Sequence, residues 1–148
     1  MKYQTLSPRR SACLAAFTKF MRAYNAFSAA QVRTLHFPVE LQGSGFPILE
    51  VLFHKGPLSQ REIAGKILRT GGNISQAIDK LERAGLVVRT PGADRRIHLV
   101  QLTEQGERLI AEWFPVVAEN IEDLFLSLSD EELELWGKLS KKLGTSIQ

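Results

Sequence analysis

Between Ser59 and Thr103 the chain sets two short amphipathic segments on either side of a glycine turn, Thr70-Gly71-Gly72, and then changes period into a β-branched hairpin. Ser59-Gln60-Arg61-Glu62 has the spacing of a capping box, in which hydroxyl and carboxylate satisfy each other's orphan backbone amides. Ile63, Ala64, Ile67 and Leu68 give the helix it opens a buried face. Past the turn, Asn73 is suited to N-cap a further helix that ends at Gly85, a residue fitted to the left-handed C′ position. There Ile74, Ala77, Ile78 and Leu81 fall at i, i+3, i+4 and i+7, leaving Ser75, Gln76, Asp79, Lys80 and Arg83 opposite. A helix of about 12 residues is roughly 18 Å long, enough to lie in a major groove of duplex DNA.

Leu86-Val87-Val88 and Ile97 to Leu102 read as two strands, with Pro91-Gly92 marking the turn between them. Arg89, Arg95 and Arg96 collect at the tip, and a narrow minor groove attracts such cations. Asp94 is out of place against DNA unless it serves the protein. An Asp at i and an Arg at i+2 can pair and hold the guanidinium in one pose. Asn73 and Gln76 carry amides that can bond the N6/N7 edge of adenine, Ser75 can reach base or phosphate, and Lys80 suits phosphate. Ser59, Arg61, Arg69 and Thr70 are candidates for phosphate at a helix start and in the turn. Singly, these residues also fit a solvated helix face or a solubilising loop. Helix, turn, helix and basic hairpin in that order point to DNA.

The rest of the chain is helical in period. Ser7-Pro8 starts a helix over about 8 to 33 with Leu14, Phe17, Met21, Tyr24 and Phe27 at spacings of three and four. That stripe is wider than a small DNA-binding module needs, so it meets either another chain or the protein's own later helices. Residues 36 to 45 read as a loop, followed by a helix over 45 to 55 with Leu49, Leu52 and Phe53 inward, stopped by Lys55-Gly56-Pro57. Thr103 caps a helix carrying Ile110, Trp113, Val117, Ile121, Leu124 and Leu128, in which Pro115 should make a kink. Ser129-Asp130-Glu131-Glu132 is a second capping box, opening a helix with Leu133, Trp136, Leu139 and Leu143 on one side.

A length of 148 residues and 44% hydrophobic content predict one folded unit, 1–148. The net charge of +3 hides a division: residues 1–54 carry six Lys/Arg against two acids, 55–100 nine against four, and 101–148 four against ten. An acidic C-terminal segment should face away from a polyanion. The single cysteine, Cys13, excludes an internal disulfide and fits a reducing compartment, and no apolar run approaches a membrane span, so a cytoplasmic location is expected. His36, His54 and His98 lack metal-ligand spacing, and neither metal nor cofactor is expected. No nucleophile, zinc or phosphate-loop motif suggests an enzyme.

Gly56-Pro57-Leu58-Ser59-Gln60-Arg61-Glu62-Ile63-Ala64, Leu81-Glu82-Arg83-Ala84-Gly85-Leu86-Val87-Val88-Arg89, Asp94-Arg95-Arg96, Leu102-Thr103-Glu104-Gln105-Gly106 and Leu128-Ser129-Asp130-Glu131-Glu132 resemble, in order, the MarR family of winged-helix regulators. Gly71-Gly72-Asn73-Ile74-Ser75 and His54-Lys55-Gly56 are most similar to its quinone- or phenol-responsive members. The resemblance implies a mainly α fold with a small β-hairpin wing. A winged helix-turn-helix lobe at 45–102 would be flanked by dimerisation helices at 7–35 and 103–148. It further implies a homodimer on a pseudo-palindromic operator, acting as a ligand-releasable repressor, with Asp94 and Arg96 paired in the wing. An effector crevice for a small aromatic or phenolic ligand would lie near Tyr24, His36, Phe46 and Trp113. Two alternatives stay open: a winged-helix module that binds protein, and a redox-sensing repressor built on Cys13, against which stands an inert buried thiol.

Overall fold

A computed structural model describes residues 6–67, 72–93 and 96–146, with Gly72 and Asn73 described by backbone alone. The element order is α1 (Pro8–Thr34), a 3-10 turn (Val39–Leu41), α2 (Gly45–Lys55), β1 (Leu58–Ser59), α3 (Gln60–Lys66), α4 (Gly72–Arg83), β2 (Val87–Pro91), β3 (His98–Leu102), α5 (Glu104–Phe125) and α6 (Asp130–Ser146). The mainly helical class with a β-hairpin is the one expected from the sequence. The chain divides into two compact units, 37–119 and 1–36 with 120–148.

In the 37–119 unit, Leu41, Ile48, Leu49, Ile63, Ile74, Ile78, Leu81, Val87, Val100 and Ile110 are almost wholly buried. The sheet order is β1-β3-β2, both pairings antiparallel, with Leu58 opposite Val100 and Arg89 opposite Val100 on the other side. The two-residue β1 strand has no signal in the sequence, because so short a segment shows no period. Pro91 is the last residue of β2, paired with His98, so the hairpin connection starts one residue later than the predicted Pro91-Gly92 turn. Proline is accommodated there because β2 is an edge strand.

Helix ends follow local chemistry. The predicted capping boxes form at Ser59/Glu62 and Ser129/Glu132. Gly85, at φ 71°, closes α4: its N–H donates to the Glu82 carbonyl (2.9 Å) and the Leu86 N–H to the Leu81 carbonyl (3.0 Å), a Schellman motif. Thr103 accepts from the Gly106 N–H (3.1 Å) and donates to the Gly85 carbonyl (2.6 Å), tying the start of α5 to the end of α4. Asn73 is not the cap of α4. The helix already includes Gly72, and glycine enters a first turn without steric restriction.

Three other expectations are corrected. Phe53 is exposed, since it lies in the last turn of α2 at the margin of the buried face, its ring edge-on to His54. Leu128 falls beyond α5, in the turn before α6. The 36–45 loop holds the 3-10 turn, with Leu41 buried.

In the unit formed by 1–36 and 120–148, Phe27 packs on Phe125 (ring centroids 5.4 Å apart) and the Asn120 amide donates to the Thr34 hydroxyl (2.7 Å). Neither α1 nor α6 has a buried residue. Leu14, Phe17, Phe20 and Tyr24 on α1, and Leu135, Trp136, Leu139 and Leu143 on α6, are all exposed. Cys13 is exposed within the single chain, on the same helix as these apolar residues.

Candidate nucleic-acid interface

The first turn of α3 is chemically complete. The Ser59 N–H donates to the Glu62 carboxylate (2.8 Å), and so does the Ser59 hydroxyl (2.7 Å), which in turn accepts from the Glu62 N–H (3.3 Å). The hydroxyl bond from Ser59, then the backbone bond, holds the Glu62 carboxyl below its ordinary value. Ser59 is therefore engaged as a cap, and Arg61 beside it is exposed.

On α4, Ile74, Ile78 and Leu81 are buried, which fixes the rotation of the helix and leaves Gln76 and Arg83 exposed with Ser75 half-buried. Lys80 is turned inward to the 3-10 turn, where its ammonium donates to the Val39 carbonyl (2.5 Å). Arg83 donates through Nε to the Asp79 carbonyl (3.2 Å).

Arg89, expected at the hairpin tip, lies in the middle of β2. Its guanidinium bonds two carboxylates of α4: Nη2 to Asp79 Oδ1 at 2.5 Å, and Nη1 to Glu82 Oε2. The Arg89 N–H also donates to Glu82 Oε1 (3.3 Å). The Asp79 hydrogen bond, ahead of a smaller opposing effect of burial, raises the guanidinium above its ordinary value. This fork joins α4 to β2. Glu82 and the register of β2 carried the signal, since Glu82 and Arg89 flank Gly85 at a separation a tight reversal brings together.

At the wing end the Gly92 N–H donates to the Ile97 carbonyl (2.8 Å), closing the hairpin, and Arg96 is exposed. Arg69, Thr70, Asp94 and Arg95 lie outside the described residues, as does the side chain of Asn73, so the Asp94–Arg96 pairing is not visible.

Of the four effector candidates, Phe46 and Trp113 share one aromatic cluster. Phe37 sits between them, 5.4 Å from each ring by centroid, stacked on Phe46 and tilted to Trp113. Phe37 falls in the segment whose composition predicts only a loop. Tyr24 and His36 belong to the other unit and are exposed. Tyr24 lines an apolar cavity of about 640 Å³ with Phe20, Phe27, Leu124, Phe125 and Trp136. Among the described residues no group of three His, Cys, Asp or Glu side chains is placed to hold a metal, and no helix is long and apolar enough to cross a membrane.

Comparison with known proteins gives this geometry a context. The model of the MarR family matches residues 44–98, the segment from the cap of α2 to the start of β3. The HTH-type transcriptional regulator MhqR of Bacillus subtilis is 34% identical over 136 residues, covering 91% of this chain and 93% of that protein. Among solved structures, BpsR of Bordetella bronchiseptica, whose DNA binding is regulated by 6-hydroxynicotinic acid, has the same fold (TM-score 0.78, 24% identity, 88% of this chain and 98% of that one). The MepR–DNA complex of S. aureus superposes with a TM-score of 0.70 at 25% identity, over 90% of this chain and 98% of that one.

Proposed function

The chain belongs to the MarR family of transcription regulators, and from that premise we propose that it is a homodimeric, ligand-releasable repressor of a pseudo-palindromic operator. The observation that carries this reading is the orientation of α4. Its apolar residues are buried and its outward ones, Gln76 and Arg83, are polar, next to a hairpin of the size that lies against a groove. A module that bound protein through the same helix would expose apolar side chains there, and α4 exposes no large one.

In this reading the lobe at 45–102 reads DNA, and the helices at 7–35 and 103–148 join two copies. The exposed apolar residues of α1 and α6 support the second part, since so many in one chain call for a partner. Gln76 and Ser75 face base edges, while Arg61 and Arg96 take phosphate or the minor groove. Arg69, Thr70, Asn73, Asp94 and Arg95 stay in the proposed set on sequence grounds. Lys80 and Ser59, held within the protein, contribute to position.

The resemblance of residues 71–75 and 54–56 to quinone- or phenol-responsive members favours a small aromatic effector, and the ligand named for BpsR, 6-hydroxynicotinic acid, is also a small aromatic. Release requires only that the ligand bind one arrangement of the dimer better than the other.

The test is a fluorescence-anisotropy titration of the purified protein on fragments it selects from its source genome. Affinity should fall steeply with added salt, as counterion release demands. No binding to any duplex at low salt would overturn the reading.

A further inference from the structure

The α4 helix presents a paradox for a DNA reader: two carboxylates, Asp79 and Glu82, lie one turn apart on it, with side chains 50% and 36% exposed. Within a groove both would lie inside a Debye length of about 8 Å from phosphates and be repelled by them. The helix's own cations do not pair with them. Lys80 is bonded to the Val39 carbonyl, and Arg83 reaches only the backbone oxygen of Asp79. The cation that meets both acids comes from β2.

Resting on the DNA-binding reading above, we infer that Arg89 is a positioning residue for DNA binding that acts through Asp79 and Glu82 and makes no contact with DNA itself. Three observations support it. The guanidinium is the less exposed partner, at 27%, and lies mid-strand opposite Val100, away from the hairpin tip. Its two terminal nitrogens go to different carboxylates, a division that a planar fork permits and a lysine ammonium on the same stem does not reproduce. The backbone N–H of the same residue reaches Glu82, so the strand as well as the side chain is registered on the helix. Arg89 thus fixes the wing strand on α4 and screens the two acids from phosphate.

A charge-neutralisation cycle separates this role from a direct contact. The full-length wild type, R89Q, D79N/E82Q and the triple variant D79N/E82Q/R89Q are titrated by anisotropy on one selected genomic duplex at fixed salt. Circular dichroism checks that each is folded. R89Q should bind at least about tenfold more weakly, since it leaves two uncompensated like charges facing phosphate. Removing the acids should recover most of that loss in the R89Q background while changing the Arg89 protein far less.

An arginine that touched phosphate, or one that only tethered the strand, would leave the triple variant as weak as R89Q. That result overturns the inference, as does unchanged binding by R89Q. Equal gains from D79N/E82Q with and without Arg89 would also overturn it, by showing a general effect of net charge. If R89Q does not fold, R89K with and without D79N/E82Q makes the same comparison, with a partial loss and a recovery expected. Failure of the wild type to hold any duplex would instead overturn the DNA-binding reading, so the two failures are distinct.

Discussion

Gly106 shows how one residue sets a packing distance. A Cβ there would stand 2.0 Å from the Leu86 carbonyl oxygen, so the first turn of α5 can rest on the start of the wing only without a side chain. Gly106→Ala should lower unfolding free energy by about 1–3 kcal/mol, the scale of overpacking in a closed site. Urea denaturation reads the change, and an unaltered midpoint would mean that α5 can retreat freely. Glu62 offers a test by titration. Its folded value is held below the ordinary 4.5, so the capping box stabilises α3 above that pH and is lost as pH falls through the lower folded value. NMR titration should find the Glu62 carboxyl below 4.5 in the wild type and moved upward in Ser59→Ala, which removes the largest cause. Ser59, Glu62 and Gly85 were legible in the sequence because caps are local chemistry. The constraint on Gly106 was not, because it comes from a carbonyl 20 residues earlier in the chain.

Among the elements, α1 and α2 were readable nearly to the residue because each has a period and a stop, whereas the apolar period runs past the end of α3 at Lys66 and of α5 at Phe125, since hydrophobic residues in the following turns continue the pattern. Ile74, Ile78 and Leu81 gave both the existence and the rotation of α4. The strands were less so: β1 is too short to show alternation, and the β-branched run stops at Val88, so only the Glu82–Arg89 spacing across Gly85 hints that β2 continues to Pro91. The engagement of Lys80 is not legible either, since its partner, the Val39 carbonyl, is 41 residues away. The wing's part in binding has its own test. Arg96→Ala should weaken duplex binding by at least about 1 kcal/mol in an anisotropy titration at constant salt. Equal affinities would remove Arg96 from the interface.

For the whole molecule, the apolar stripes of α1 and α6 are visible in the sequence, and within one chain both stay exposed, which is the ground for the proposed dimer. The surroundings of the aromatic residues were the least legible, because aromatics at helical spacing look alike in core, interface and cavity; Phe46 and Trp113 meet Phe37, which shows no period of its own. In solution, light scattering should give a mass near twice the chain's 16.6 kDa. Leu139→Glu, on the exposed face of α6, should shift it toward the monomer and reduce operator affinity together. In the proposed dimer, two α4 helices read successive major grooves, spaced one helical turn of about 34 Å. Binding to a selected operator should therefore be compared with binding to the same duplex carrying five extra base pairs between its half-sites, which turns them to opposite faces. Affinity for the lengthened duplex should collapse toward that of a single half-site. Equal affinity for both duplexes would contradict that arrangement.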